Sequence, residues 1–148
     1  MKNNYQIGDW VYNGKESQSP VQIVSVYGDR DICHCDIDIR GNDGIVYECD
    51  IDMVVPIPLS EKLLQQLGFL KREKGGFYFW NNIDVNPTIG PGMGVRVEYR
   101  EDLKYWVVAA FKDHPHAVTT ENYIEDILYL HELQQAMRLV RINKEVKL

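Results

Sequence analysis

Residues 33–52 read CHCDIDIRGNDGIVYECDID, and this stretch carries the strongest structural signal in the chain. Apolar residues and cysteines occupy the odd positions on both sides of the turn at 40–44, and acidic residues occupy most of the even positions. A period of two is that of a β-strand, whose successive side chains point to opposite faces of the sheet. The stretch therefore predicts an antiparallel hairpin with one apolar and one acidic face. If the turn is centred on Asn42, Cys35 lies opposite Cys49.

Further short strands are predicted on either side of this hairpin. Residues 7–12 and 21–27 are rich in aromatic and β-branched residues, and Pro56-Ile57-Pro58 ends the segment. Four or five closely spaced strands in so short a segment are typical of a small barrel. We therefore expect an SH3-like barrel over residues 5–58, in preference to an OB-like one.

A helix is predicted directly after this segment. Ser60 is placed to cap its amino end, and Leu59 to pack on Leu64. Gly68 supplies the left-handed residue that ends such a helix, and it returns Phe69 towards Leu64.

The rest of the chain predicts strands and a second helix. Strands are expected at 69–72, 77–80, 95–100 and 105–111. An apolar stripe at helical spacing runs from Tyr129 to Val140, and the helix that carries it has two candidate caps, Asp126 and Thr119. Residues 59–148 are thus expected to form an antiparallel sheet packed with two helices, which makes the protein α+β and mostly β.

The net charge of −6 is unevenly distributed along the 148 residues. Four Lys/Arg and ten Asp/Glu lie up to Pro58, so the first segment carries all of it. This acidity disfavours non-specific binding of nucleic acid by that segment. No apolar stretch is long enough to span a membrane, and residues 1–6 lack the apolar core of a secretory signal. The sequence therefore predicts a cytoplasmic protein with no membrane partner.

Two groups of residues resemble metal sites. His131 and Glu132 begin the pattern of the zinc proteases, but Gln135 stands where the second histidine is required. Cys33, Cys35 and Cys49 are expected as reduced thiols on the inner face of the hairpin, where core packing is favoured over a structural zinc site. No catalytic, cofactor-binding or metal-ligating residue is assigned, and no cofactor is expected.

The candidate interaction surface combines acidic and aromatic residues. The acidic part is the even-numbered face of the hairpin, and the aromatic part is one face of the strand at 77–80. Its residues are Asp36, Asp38, Glu48, Asp50, Asp52, Tyr78 and Trp80.

Three short motifs resemble those of a group of small uncharacterised proteins from gut Bacteroidales genomes and their prophages or mobile elements. They are Gly8-Asp9-Trp10-Val11, the segment from Pro56 to Phe69, and Tyr129 to Gln134. No activity is assigned to that group. The resemblance implies a bacterial origin, with a phage or mobile-element association, and no reaction.

Three functional hypotheses follow from these observations. Small barrels more often bind than catalyse, so the leading one is a non-catalytic binding or adaptor protein whose partner is another protein. The second is a nucleic-acid-associated accessory factor or an acidic mimic of DNA, in which bases could stack on Tyr78 and Trp80. The third is a small enzyme, which is disfavoured because no nucleophile or acid–base constellation is evident.

Overall fold

The computed structural model describes residues 4–14, 18–27, 37–72, 76–80, 92–114, 117–139, 142 and 146–148. For residues 80, 92–93, 111–114 and 117–122 the description is limited to the backbone. The chain divides into two compact units: Met1–Pro58 with Tyr129–His131, and Leu59–Leu128 with Glu132–Leu148. The described residues form two antiparallel five-stranded sheets and two α-helices, so the expectation of an α+β, mostly β protein is confirmed.

The sheet of the first unit has the strand order β4-β3-β2-β1-β5. A single turn of 3-10 helix, Ile51–Met53, separates β4 from β5. The pairings among the described strands leave this sheet open, so the closed SH3-like barrel expected from the sequence is not confirmed. The strands are β1 (Trp10–Asn13), β2 (Ser19–Val26), β3 (Ile37–Arg40), β4 (Val46–Cys49) and β5 (Val54–Pro56).

Alternating β-branched residues from all the inner strands form the core of the first unit. Cys49 and Ile51 pack against the margin of this cluster. Trp10 is also buried, as is Asp9, whose Oδ2 accepts a hydrogen bond of 2.8 Å from the Gln6 amide. The cluster consists of Tyr5, Val11, Val21, Ile23, Ile37, Ile39 and Val54.

The predicted hairpin is present in a different register. Ile37, and not Cys35, lies opposite Cys49, and Cys35 itself lies outside the described residues. The reason is the turn: the Gly44 amide donates to the Gly41 carbonyl at 3.0 Å, and Gly44 then adopts a φ of +77°. This is a type I turn followed by a glycine bulge, which moves the centre of the hairpin from Asn42 to Asp43. The shift is even, so the apolar and acidic faces stay on their predicted sides.

The sheet of the second unit is an antiparallel meander in the order β10-β9-β8-β7-β6. Its buried face carries Phe77, Val95, Val97 and Trp106. The strands are β6 (Leu70–Lys71), β7 (Phe77–Trp80), β8 (Gly92–Arg100), β9 (Tyr105–His114) and β10 (Ala117–Ile127).

The predicted first helix, α1 (Glu61–Gln66), is confirmed together with its end signals. Ser60 Oγ accepts from the Leu63 amide at 3.2 Å, and Leu59 and Leu64 are both buried. At the other end the Gly68 amide donates to Gln65 O and the Phe69 amide to Leu64 O, each at 3.0 Å. This pair of hydrogen bonds is the Schellman motif.

The second helix begins later than either of its two candidate caps. Thr119 and Asp126 cap no helix, because both lie in the eleven-residue strand β10. Asp126 has a φ of +61° and sits where the β9–β10 register shifts, which marks a bulge at the end of the strand. The helix α2 (Leu130–Leu139) begins only after this bulge, with the Glu132 carboxylate accepting from the Leu128 amide at 2.7 Å. Its predicted apolar stripe is confirmed, since Leu133, Ala136 and Met137 are buried.

Candidate functional site

The acidic part of the predicted interaction surface is partly brought together by the β3–β4 pairing. Asp38 lies directly opposite Glu48. Asp50 lies two residues after Glu48, just beyond the end of β4. Asp52 lies in the 3-10 turn, where the two-residue alternation has ended, and Asp36 lies outside the described residues. The described acidic group is therefore Asp38, Glu48 and Asp50, and we call it the acidic triplet.

Two of these carboxylates, those of Asp38 and Asp50, each have an oxygen that is shielded from solvent. The Tyr27 hydroxyl donates a short hydrogen bond to Asp38 Oδ2. Oδ1 of Asp38 and Oδ1 of Asp50 are both shielded from solvent, and neither accepts a hydrogen bond from the described residues. Removing a charged oxygen from water without a compensating donor costs free energy. Glu48, by contrast, is exposed, so a cationic group of a ligand can reach its carboxylate.

Among the strands that the structure describes, β4, which carries Glu48 of the acidic triplet, is an edge strand, since it is the first in the sheet order. Ile45, Val46 and Tyr47 are about half exposed, at 53%, 47% and 48%. Three consecutive exposed apolar residues on an edge are uncommon, because natural edge strands are usually protected by lysine, proline or a bulge. Val46–Cys49 has no lysine or proline.

The direction of the backbone groups of β4 follows from the turn. The Gly41 amide donates to the Ile45 carbonyl, so 41/45 is a hydrogen-bonded pair. Such pairs alternate along an antiparallel ladder, which makes 39/47 and 37/49 the next ones. The N–H and C=O groups of Val46 and Glu48 therefore point away from β3, towards the free edge.

Tyr47 lies on this edge as a neutral hydrogen-bonding group. Its hydroxyl donates to Asp43 Oδ2 at 3.3 Å. Desolvation, followed by the charge of Asp43 and the hydrogen bond to it, raises the pKa of Tyr47 above its ordinary value. The phenol therefore stays protonated at physiological pH.

The second unit offers a different kind of surface, the face of its sheet opposite the buried one. The register places Tyr78, Arg96, Ala109 and Tyr123 side by side in one row across four strands. Tyr78 is half-buried, and the Arg72 guanidinium lies 5.0 Å from the centre of its ring. We call this surface the open face.

A pocket of about 320 Å³ lies on the open face. Ala109 and Val107 are its most buried lining residues, at 1% and 8% exposure, while Tyr123 is 56% exposed. Small pockets with an apolar floor and a few polar groups are typical ligand sites. The pocket is lined by Arg96, Glu98, Arg100, Val107, Ala109, Tyr123 and Glu125.

The charges around this pocket are balanced by local ion pairs. Arg100 Nε lies 3.3 Å from Asp102 Oδ1, and Arg96 Nε lies 3.9 Å from Glu98 Oε2. The hydrogen bond to Asp102 raises the pKa of Arg100, and the same bond lowers the pKa of Asp102. Two guanidinium groups and two carboxylates line the pocket, so the lining as a whole is close to neutral.

The aromatic residues predicted at this site are placed as follows. Tyr78 lies on the open face, and Trp80 lies opposite Gly94 in the register, its side chain being outside the description. Sequence reasoning did not select Arg96, Arg100 or Tyr123. Their common signal is alternation in strands β8 and β10, but only the cross-strand register shows that they are neighbours.

The two groups that resembled metal sites supply none within the described residues. His131 is buried in α2, with its ring edge-on to Tyr5 at 4.8 Å and stacked on Tyr129 at 5.8 Å. Cys49 is reduced and half-buried, and its Sγ lies 3.3 Å from Asp50 O. Cys33 and Cys35 lie outside the described residues, and no three potential metal ligands cluster among the residues that the structure does describe.

Comparison with known proteins gives no indication of function. The chain matches no family model, no curated protein and no solved structure. Within the described part of the chain, neither helix has the length and apolar character needed to cross a bilayer.

Proposed function

We propose that this protein is a non-catalytic binding protein whose first unit captures an extended, basic segment of a partner protein at strand β4. The observation that carries the proposal is the free edge of β4, where exposed Ile45, Val46 and Tyr47 adjoin the acidic triplet. Adding a strand to an exposed edge is a common way for a domain to bind a peptide.

The backbone supplies the affinity in this mode of binding. A partner strand would form hydrogen bonds with the N–H and C=O groups of Val46 and Glu48, which point towards the free edge. Its side chains would alternate between the two faces of the sheet. Those on one face would contact Tyr47, and those on the other would meet Val46 and the acidic triplet.

Charge supplies the specificity. The exposed side chain of Glu48 would pair with a lysine or arginine of the partner, and the charges of Asp38 and Asp50 would add to the attraction. A second copy of the same hairpin would instead bring Glu48 and its neighbours against like charges, which is unfavourable. We therefore propose a different, basic protein as the partner, in a phage or mobile-element setting of the kind that the sequence resemblance implies.

The proposal includes the finer fold of this unit. In an SH3-like barrel, the last strand follows a 3-10 turn and returns to pair with the first strand. The order β4-β3-β2-β1-β5 and the turn at Ile51–Met53 support that assignment. Barrels of this size are frequent binding modules.

The test uses a labelled peptide of about ten residues that alternates lysine and valine, with a glutamate–valine peptide as the charge control. We expect the basic peptide to bind and the acidic one not to bind. Val46→Pro removes an N–H from the free edge without breaking the ladder to β3, because proline is tolerated at such positions. It should weaken binding of the basic peptide about tenfold, which corresponds to losing one or two hydrogen bonds.

The matched control is Val46→Thr, which keeps the N–H and nearly the same shape. It should bind the basic peptide within about twofold of the wild type, since the side chain is not the main contact. Equal binding of both peptides, or unchanged binding by Val46→Pro, would contradict the proposal.

A further inference from the structure

The open face of the second unit combines aromatic rings and an arginine in one row. Tyr78 and Tyr123 stand in one row with Arg96 and Ala109 between them. Aromatic rings interleaved with arginine on a sheet are the surface on which single-stranded nucleic acids stack their bases. The sequence alone showed the aromatic strand at 77–80 without any basic residue beside it.

We infer that the open face binds single-stranded nucleic acid, with one base held over Ala109 between Arg96 and Tyr123. This inference is independent of the function proposed for β4, because every residue it uses belongs to the second unit.

The spacing of the strands suits one base. Arg96 and Tyr123 are two strands apart, which is about 9.6 Å between their backbones. Stacked planar groups have centres about 4.5–7 Å apart, so one ring fits between the guanidinium and the phenol. Ala109 forms part of the pocket floor, and a larger residue at this position would occupy pocket volume.

The charges favour a base over a phosphate inside the pocket. Glu98 and Glu125 balance Arg96 and Arg100, so the lining suits a neutral polar ring. Carboxylates accept hydrogen bonds from the exocyclic amino groups of cytosine and adenine, and thymine has no such group. A strand rich in deoxycytidine should therefore bind more tightly than one of thymidine.

The remaining groups of the row suit the rest of the strand. Tyr78 lies three strands from Tyr123, about 14 Å away, and offers a second stacking position. Arg72, over the Tyr78 ring, can meet a phosphate there. The described side chains offer few phosphate contacts beside this row, so affinity should depend only weakly on salt concentration.

The experiment measures the fluorescence anisotropy of labelled strands of about ten nucleotides, one of deoxycytidine and one of thymidine, with the deoxycytidine strand in a duplex as a third probe. We expect the deoxycytidine strand to bind most tightly and the duplex not to bind. Tyr123→Ala removes an exposed ring and should weaken binding of the deoxycytidine strand roughly 5- to 150-fold, the range for losing one stacked base. Ala109→Leu, which fills the pocket, should weaken it comparably.

Two controls separate this site from general effects. Met53→Ala removes an exposed apolar side chain from the first unit, and Lys62→Ala removes a cation from helix α1; both should leave binding of the strand within about twofold. The inference is overturned if no strand binds, as a protein-docking surface would give. It is equally overturned if thymidine or duplex probes bind as tightly, or if folded Tyr123→Ala and Ala109→Leu bind like the wild type.

Discussion

Each of the two sheets in this protein has five antiparallel strands, but the sheets differ in which part is accessible to solvent. In the first sheet the accessible feature is an edge, β4, with the backbone groups of Val46 and Glu48 directed outwards. In the second sheet it is a face, on which Arg96 and Tyr123 flank a shallow pocket. An edge offers hydrogen bonds and suits an extended chain, whereas a face offers rings and charges and suits planar groups.

The two surfaces also differ in charge. The acidic triplet combines the exposed Glu48 with the half-buried Asp38 and Asp50, so the first surface carries negative charge. The pocket on the open face is lined by two arginines and two glutamates, so its lining is close to neutral. The two sheets thus differ in the charge of the surfaces that we propose as binding sites.

The largest expected effect comes from Trp10, which anchors the first strand of the first sheet. Trp10→Ala should lower the free energy of unfolding by about 3–5 kcal/mol, because a large buried ring is removed. Chemical denaturation checks this value, with Ile7→Ala as the control, since Ile7 is 64% exposed and should change stability by less than about 0.5 kcal/mol. A loss below about 1 kcal/mol for Trp10→Ala would mean that the ring is not part of the core.

A smaller effect distinguishes two turn glycines, one from each sheet. Gly76 and Gly44 have φ values of +88° and +77°, so alanine is strained by about 1–2 kcal/mol at either position. At Gly76 a Cβ would also collide with the Val97 carbonyl oxygen and lie 3.1 Å from the Glu98 Cα, whereas at Gly44 no atom lies within 4 Å. We expect Gly76→Ala to cost about 2–4 kcal/mol and Gly44→Ala about 1 kcal/mol. Equal costs in thermal denaturation would mean that β8 moves away from the Gly76 backbone without cost.

The smallest effect on stability comes from the acidic triplet. Asp38→Asn with Asp50→Asn should leave the melting temperature unchanged or slightly higher, because Asp38 faces Glu48 and like charges across a strand pair are unfavourable. Binding of the lysine–valine peptide should weaken, and its dependence on salt should flatten.

The control for this pair is Glu61→Gln with Glu101→Gln, which removes the same charge from exposed positions of the second unit. It should not alter peptide binding. If both double variants bind the peptide with the wild-type salt profile, the acidic triplet is ordinary solvated surface.

Local signals predicted the parts of the fold that depend on neighbours in sequence. Ser60, Gly68 and Phe69 define helix α1 through hydrogen bonds that span three to five residues, so their chemistry is visible in the sequence. The predicted hairpin register was wrong by two residues, because Gly44 forms a bulge that the prediction, which centred the turn on Asn42, did not include. Strand β10 was not predicted, because its eleven residues depend on pairing with β9, and the sequence left the start of the following helix open between Thr119 and Asp126.

Patterning along the chain was sufficient to establish the strands of the hairpin, the capped helix, the acidic face and the burial of Trp10. These follow from side-chain alternation, turn chemistry and capping, which act over a few residues. The row from Tyr78 through Arg96 and Ala109 to Tyr123, and the free edge of Val46 and Glu48, arose only on folding. Both depend on which strands become neighbours, and that choice is made by the burial of residues far apart in the chain.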